Sequence, residues 1–230
     1  MATITDTEFG AITLRRSRLA RNVRLTLDAR GVISISLPMR APLRVAQQLL
    51  NESRHNLRQT ISALKINQPI YRAGDKIGKV HTLRFITQDN NAYNHRLTKK
   101  ELIIALPTDA APAQVQQTIH QGIAKALRAQ AKAYLPRRLE TLANIHGFTY
   151  QKLRFSSAGT RWGSCSNQHT ISLNIWLMQL PFELIDYVLI HELCHTKIMN
   201  HSPTFWDLVA QRCPDYKQYR RQLKRFHPHA

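Results

Sequence analysis

The feature that most constrains this chain is DYVLIHELCH, residues 186–195. Its apolar flank marks a helix that packs into a core, where two histidines and a glutamate are costly to bury unless something satisfies them. Four residues turn an α-helix by about 400°, so His191 and His195 leave the same face about 6 Å apart along the axis, within reach of one zinc ion. Glu192 lies about 100° round from His191, close enough for its carboxylate to address a water beside the metal without having to be a ligand. Either a metal or hydrogen bonds to neighbouring carbonyls must satisfy these side chains, and their spacing favours the metal.

A catalytic zinc takes three protein ligands and leaves a fourth position open. No glutamate follows Glu192, which leaves Asp207, Asp215, His201, His227 and His229 as candidates for the third. His201 is the best placed. Asn200 reads as a left-handed residue ending the helix and Ser202-Pro203 as the N-cap and first residue of the next, so His201 falls in a tight reversal. Its offset from His191 matches the third ligand of H-E-x-x-H-x-x-G-x-x-H metalloproteases, but Ile198 stands where that pattern has Gly. Such a site activates water for attack on a carbonyl, with Glu192 as general base. Arg161 and Tyr187 are candidates for a second electrophile, each with a structural alternative as a strand-end charge and a core residue.

Ahead of the helix, hydrophobic periodicity gives a coarse map. Residues 11–37 read as two strands of a hairpin about the turn at 28–31, studded with Arg15, Arg16, Arg18, Arg21, Arg24 and Arg30. Pro42 to about Leu64 reads as an amphipathic helix, and residues 71–106 as strand-rich. A long helix follows from Pro112 to about Ala143, which Pro136 breaks or kinks. FTYQKLRFSS and TISLNIWLM read as strands, and Pro181 opens a helix of nearly five turns. No internal repeat is visible. The expected division is a β-rich module with one helix, 1–106, and a catalytic domain, 107–230. If TISLNIWLM borders the cleft as an edge strand, an extended substrate pairs with it, and Asn174 anchors either that substrate or the loop.

Composition bears on partners. The formal net charge is +19 at pH 7, a surface that attracts nucleic acid, ribosomes or acidic membranes. Three cysteines, Cys165, Cys194 and Cys213, are too few and too scattered for a disulfide framework, so a reducing compartment is expected. No apolar run approaches the ~20 residues that span a bilayer, and MATITDTEFG lacks the features of a secretory leader. A soluble, cytoplasmic protein is expected, with oligomeric state unspecified. Two function classes therefore stand: a zinc-dependent endopeptidase, and a basic nucleic-acid- or ribosome-binding protein with a structural zinc. Glu192 favours the first, since a structural site has no use for an acid between its histidines.

RWGSCS, then ISLN, LPFELIDYVLIHELCH, NHSPTFW and CPDY, resemble the YgjP-like metallopeptidase family, related to the SprT-like and WLM zinc proteases. The N-terminal RRSRLARNVRLTLDARGVISISLP is similar to that family's opening as well. The resemblance implies a zincin-like α+β catalytic domain, with His191, His195 and His201 as zinc ligands, Glu192 as acid/base and a polypeptide substrate.

Overall fold

The computed structural model describes residues 2–27, 32–66 and 71–228. They form two compact units, with described residues 2–66 in the first and 71–228 in the second. The architecture is mixed α+β. Among the described residues no helix is long and apolar enough to cross a membrane.

In the first unit, β1 (Ala2–Asp6), β2 (Gly10–Ser17), β3 (Arg24–Leu27) and β4 (Ile33–Pro38) form a sheet in the order β1-β2-β4-β3, followed by α1 (Leu43–Ile66). The run expected as one long strand before residue 28 is interrupted. The chain leaves the ladder after Ser17, exposes Leu19 almost fully, and returns at Arg24. Within residues 11–37 only β3 and β4 pair antiparallel, while β2 pairs β4 in parallel. The expected turn at 28–31, with Arg30, lies outside the described residues. Alternation on β4 buries Ile33, Ile35 and Leu37 against Ala46, Leu50 and Leu57 of α1. Arg16, one of the arginine row, holds the backbone together. Its guanidinium donates to the carbonyls of Met39 (2.7 Å) and Ala41 (2.8 Å), closing the turn into α1.

The second unit opens with β5 (Lys76–Ile77), β6 (His81–Gln88), β7 (Asn94–Leu97) and β8 (Glu101–Pro107), in the order β5-β6-β8-β7, followed by α2 (Pro112–His146). Pairing directions repeat those of the first sheet: antiparallel, parallel, antiparallel. With the topology as a guide, the sequence repeats too. Thr13-Leu14-Arg15 matches Thr82-Leu83-Arg84, Arg24-Leu25-Thr26 matches Arg96-Leu97-Thr98, and Leu37-Pro38 with Ala41-Pro42 matches Leu106-Pro107 with Ala111-Pro112. The expectation of no internal repeat is thus corrected. Changed loop lengths and sparse identities hide it from a linear reading.

The expected boundary at 106/107 also moves. The β5–β8 sheet belongs with the elements C-terminal to it, because α2 lies on it and Ile77, Leu83, Leu102 and Ile104 join one core with Ile119, Ile123 and Leu127. Pro136 does not end α2, which runs on to Gly147. Leu135, Leu139 and Leu142, buried around the proline, hold the helix despite the lost backbone bond.

Next come β9 (Lys152–Ser156), β10 (Gly163–Cys165) and β11 (Thr170–Asn174), in the order β10-β11-β9. β11 is therefore central rather than an edge. Its expected continuation through IWLM is instead a 3₁₀ turn, Ile175–Gln179, because the Asn174 side chain accepts from Trp176 N–H (3.1 Å) and caps it. α3 (Phe182–Cys194), α4 (Pro203–Arg212) and α5 (Tyr216–Leu223) complete the chain. α3 has 13 residues, short of nearly five turns.

Candidate metal centre

α3 carries His191 and Glu192 in its last turn, and His195 caps it in a helical conformation, so the i, i+4 geometry survives although the helix stops. The chain then reverses through residues 196–202. Asn200 is not left-handed as expected; among described non-glycine residues only His169 has positive φ. The reversal starts with the backbone N–H groups of Lys197 and Ile198 donating to Cys194 O, and side chains support it. Thr196 Oγ1 donates to Leu193 O (2.7 Å), and Asn200 Oδ1 accepts from Ser202 N–H (3.4 Å). Ser202 N-caps α4 through Phe205 N–H, with Pro203 in its first turn, as expected.

This brings His201 back beside the helix. Nε2 of His191 stands 3.2 Å from Nε2 of both His195 and His201, and the three donors lie within 4.8 Å of one another. Nitrogens at about 2.05 Å from a tetrahedral zinc are about 3.3 Å apart, so the two pairs made by His191 stand at the spacing of a metal site. Protonation agrees. Burial, helped by the charges of His195, His201 and Arg220, pushes His191 down to about 3, and His195 falls mainly through burial. Nδ1–H of His195 donates to Ile198 O (3.1 Å), which leaves Nε2 as the free lone pair. Aromatic rings from α4 set the planes: Phe205 stacks on His195 (4.4 Å) and Trp206 on His201 (5.5 Å). The three histidines fit a metal ion.

Glu192 is buried at 5% exposure. Burial raises its carboxyl to about 8, partly offset by Arg161, and its Oε2 has no hydrogen-bond partner among the described residues. Gly163 on β10 makes room for it. A Cβ at that position would stand 2.6 Å from Oε1 and 2.7 Å from Cγ of Glu192. Trp162, Gly163, Tyr187, Glu192, His191 and His201 share a cleft of about 580 Å³, which Trp206 and Arg220 help to close.

The other expected residues divide. Tyr187 lines the cleft with its ring 6.0 Å from that of His191, and burial raises its hydroxyl to about 12. Arg161 reaches Glu192 through its field. Asn174 is fully buried and holds the loop, not the cleft: Nδ2 donates to Ala158 O (2.7 Å) and Arg161 O (2.9 Å). Asp207 and Asp215 are not in the histidine cluster. Cys165 and Cys194, with thiols raised by burial to about 11 and about 12, are poor nucleophiles and fit as packing. Residue-level reasoning missed Trp162, Gly163, Trp206 and Arg220. The first three stand within RWGSCS and NHSPTFW; Arg220 had only the basic tail to signal it.

The family model for the YgjP-like metallopeptidase domain matches residues 21–226. Among solved structures, one titled as the crystal structure of the metallopeptidase zymogen of Pyrococcus abyssi abylysin is similar at 26% identity. That match covers 40% of this chain and 93% of that one, with a TM-score of 0.34. No curated protein matches the sequence.

Proposed function

We propose, from the premise that this chain belongs to the YgjP-like metallopeptidase family, that it is a zinc-dependent peptidase with His191, His195 and His201 as ligands and Glu192 as general base. The observation that carries the reading is the convergence of three imidazole nitrogens within 4.8 Å of one another beside a buried carboxyl whose Oε2 has no hydrogen-bond partner among the described residues. Zinc, when bound, supplies a Lewis acid for the scissile carbonyl and lowers the pKa of water toward about 7. Glu192 takes a proton from the attacking water at its free Oε2 and returns it to the leaving amine. Burial suits it to that exchange by raising its proton affinity toward neutral pH.

The substrate strand finds its place on β10 rather than β11. β10 is the outer strand of its sheet, and Gly163 lies against the Glu192 carboxylate. A polypeptide paired with that edge passes the base directly. Asn174, by fixing the carbonyls of residues 158 and 161, holds the loop that leads into β10. Tyr187, which lines the cleft, is the candidate to attend the developing oxyanion, while Arg161 acts on Glu192 through its field.

The test is metal content and peptide hydrolysis of natively purified protein beside His201→Ala and Glu192→Gln. About one zinc per chain is expected in wild type and Glu192→Gln, with marked loss in His201→Ala. Hydrolysis is expected to fall by about 10²–10⁴-fold in Glu192→Gln. A wild-type chain that takes up no zinc when offered it sinks the reading.

A further inference from the structure

A second groove continues from the cleft. Trp206 and Arg220 line both the cleft and a space of about 440 Å³, whose other walls are Tyr216, Lys217, Arg221 and Lys224. No carboxylate lines it. Among the described residues, none of its four cations enters an ion pair. Arg220 is fixed at the junction, its guanidinium 4.5 Å over the Trp206 ring.

The spacing of the cations selects a ligand shape. Lys217, Arg220 with Arg221, and Lys224 recur at i, i+3/i+4, i+7, a stripe stepping about 5 Å along the helix. An extended peptide presents same-side residues about 6.6 Å apart, a comparable step. Single-stranded nucleic acid also matches the charge, but the stacking that tightens its binding uses an open aromatic face for a base. Trp206 is already engaged by His201 (5.5 Å), Tyr216 (5.6 Å) and Arg220.

We infer that this groove binds acidic side chains of an extended polypeptide, making the site selective for Asp- and Glu-rich segments next to the scissile bond. The inference rests on the peptidase reading, and it is tested by binding alone so that the two fail separately. The full chain carrying Glu192→Gln is titrated with fluorescein-labelled, C-terminally amidated peptides that differ only in Glu against Gln, and with oligothymidylate of equal length. The Glu peptide is expected to bind about tenfold tighter at low salt. The added changes Lys217→Gln, Arg221→Gln and Lys224→Gln, all at the surface, should bring that ratio toward one. Metal content and circular dichroism report that the variant is folded.

Equal binding of the two peptides, or a ratio that survives the triple change, overturns the inference. So does oligothymidylate binding tighter than the Glu peptide through the same three cations, which makes the groove a nucleic-acid site. If a free C-terminal carboxylate on the Gln peptide alone restores tight binding, the groove reads chain ends and the inference also falls. Absence of zinc uptake or of hydrolysis by the wild type sinks the peptidase reading while leaving the binding ratio legible.

Discussion

The first sheet with α1 and the second with α2 share strand order, pairing directions and sequence landmarks, yet only the second leads to a candidate site. In the first, β4 alternates buried and half-buried residues, and Ile12 fills the core beneath the helix. In the second, β8 buries both faces, and the position matching Ile12 is His81. Gln130 of α2 bridges there, donating to Ile77 O (2.9 Å) and to His81 Nδ1 (2.7 Å) and accepting from Lys79 N–H (2.6 Å). Each helix also carries an arginine clamp with different work to do. Arg54 ties α1 to Asp6 of its own sheet (2.6 Å), whereas Arg138 ties α2 to Asp186 (2.6 Å) on the helix that bears the histidines. One scaffold thus serves twice, first as a self-contained layer and then as a platform whose polar contacts run onward to the chemistry.

The largest expected effect lies at the site itself, on β10. Gly163→Ala inserts a methyl against the Glu192 carboxylate, and peptide hydrolysis should fall by about 10²–10³-fold, the scale of a mispositioned general base, while zinc content stays near one per chain. Unchanged hydrolysis would detach Glu192 from the chemistry. A matched pair comes next in size. Ile35→Ala and Ile104→Ala each empty a fully buried position and should each cost about 2–5 kcal/mol in denaturant unfolding. Only Ile104→Ala should also weaken zinc retention; equal metal loss in both would break the division of labour.

How much of this is legible in the sequence depends on how local the cause is. The histidine pair, Glu192 and the Ser202-Pro203 cap follow from spacing along one or two turns, and the long helix from its stripe. The central position of β11, the interruption after Ser17 and the 3₁₀ turn after Asn174 depend on pairings across the sheet or on a single side-chain cap, which periodicity does not register. Arg220 joins the cleft only through tertiary packing. The repeat is an intermediate case, written in the chain but readable only after the topology aligns it.

Smaller effects refine the comparison. His81→Ile writes the first module's residue into the second and strips Gln130 of a buried partner, at an expected cost of about 1–3 kcal/mol. The converse change, Ile12→His, buries an imidazole where the first module supplies no glutamine, and should cost more. Least in size is a pH effect confined to the first unit. Arg54 holds the Asp6 carboxyl down at about 2, below its ordinary 3.8. A carboxyl lowered on folding stabilises above its unfolded value and loses that contribution as pH falls through the folded one. The stability gap between wild type and Arg54→Gln should therefore be constant above about pH 5 and shrink between pH 4 and pH 2. A gap that does not change with pH would assign Arg54 to packing alone.

The third histidine arrives from a loop, not from the helix that carries the other two. In coordination terms the proposed ligand set is one tight, preorganised chelate ring, His191 with His195, closed by a wider and more compliant ring through His201. Metal exchange should then proceed stepwise, with His201 releasing first and the helical pair retaining the ion until a competing chelator completes its removal. Because α4 begins immediately after His201 and lends its Trp206 to the basic groove, that first dissociation step would also loosen the wall on which the substrate's acidic segment rests.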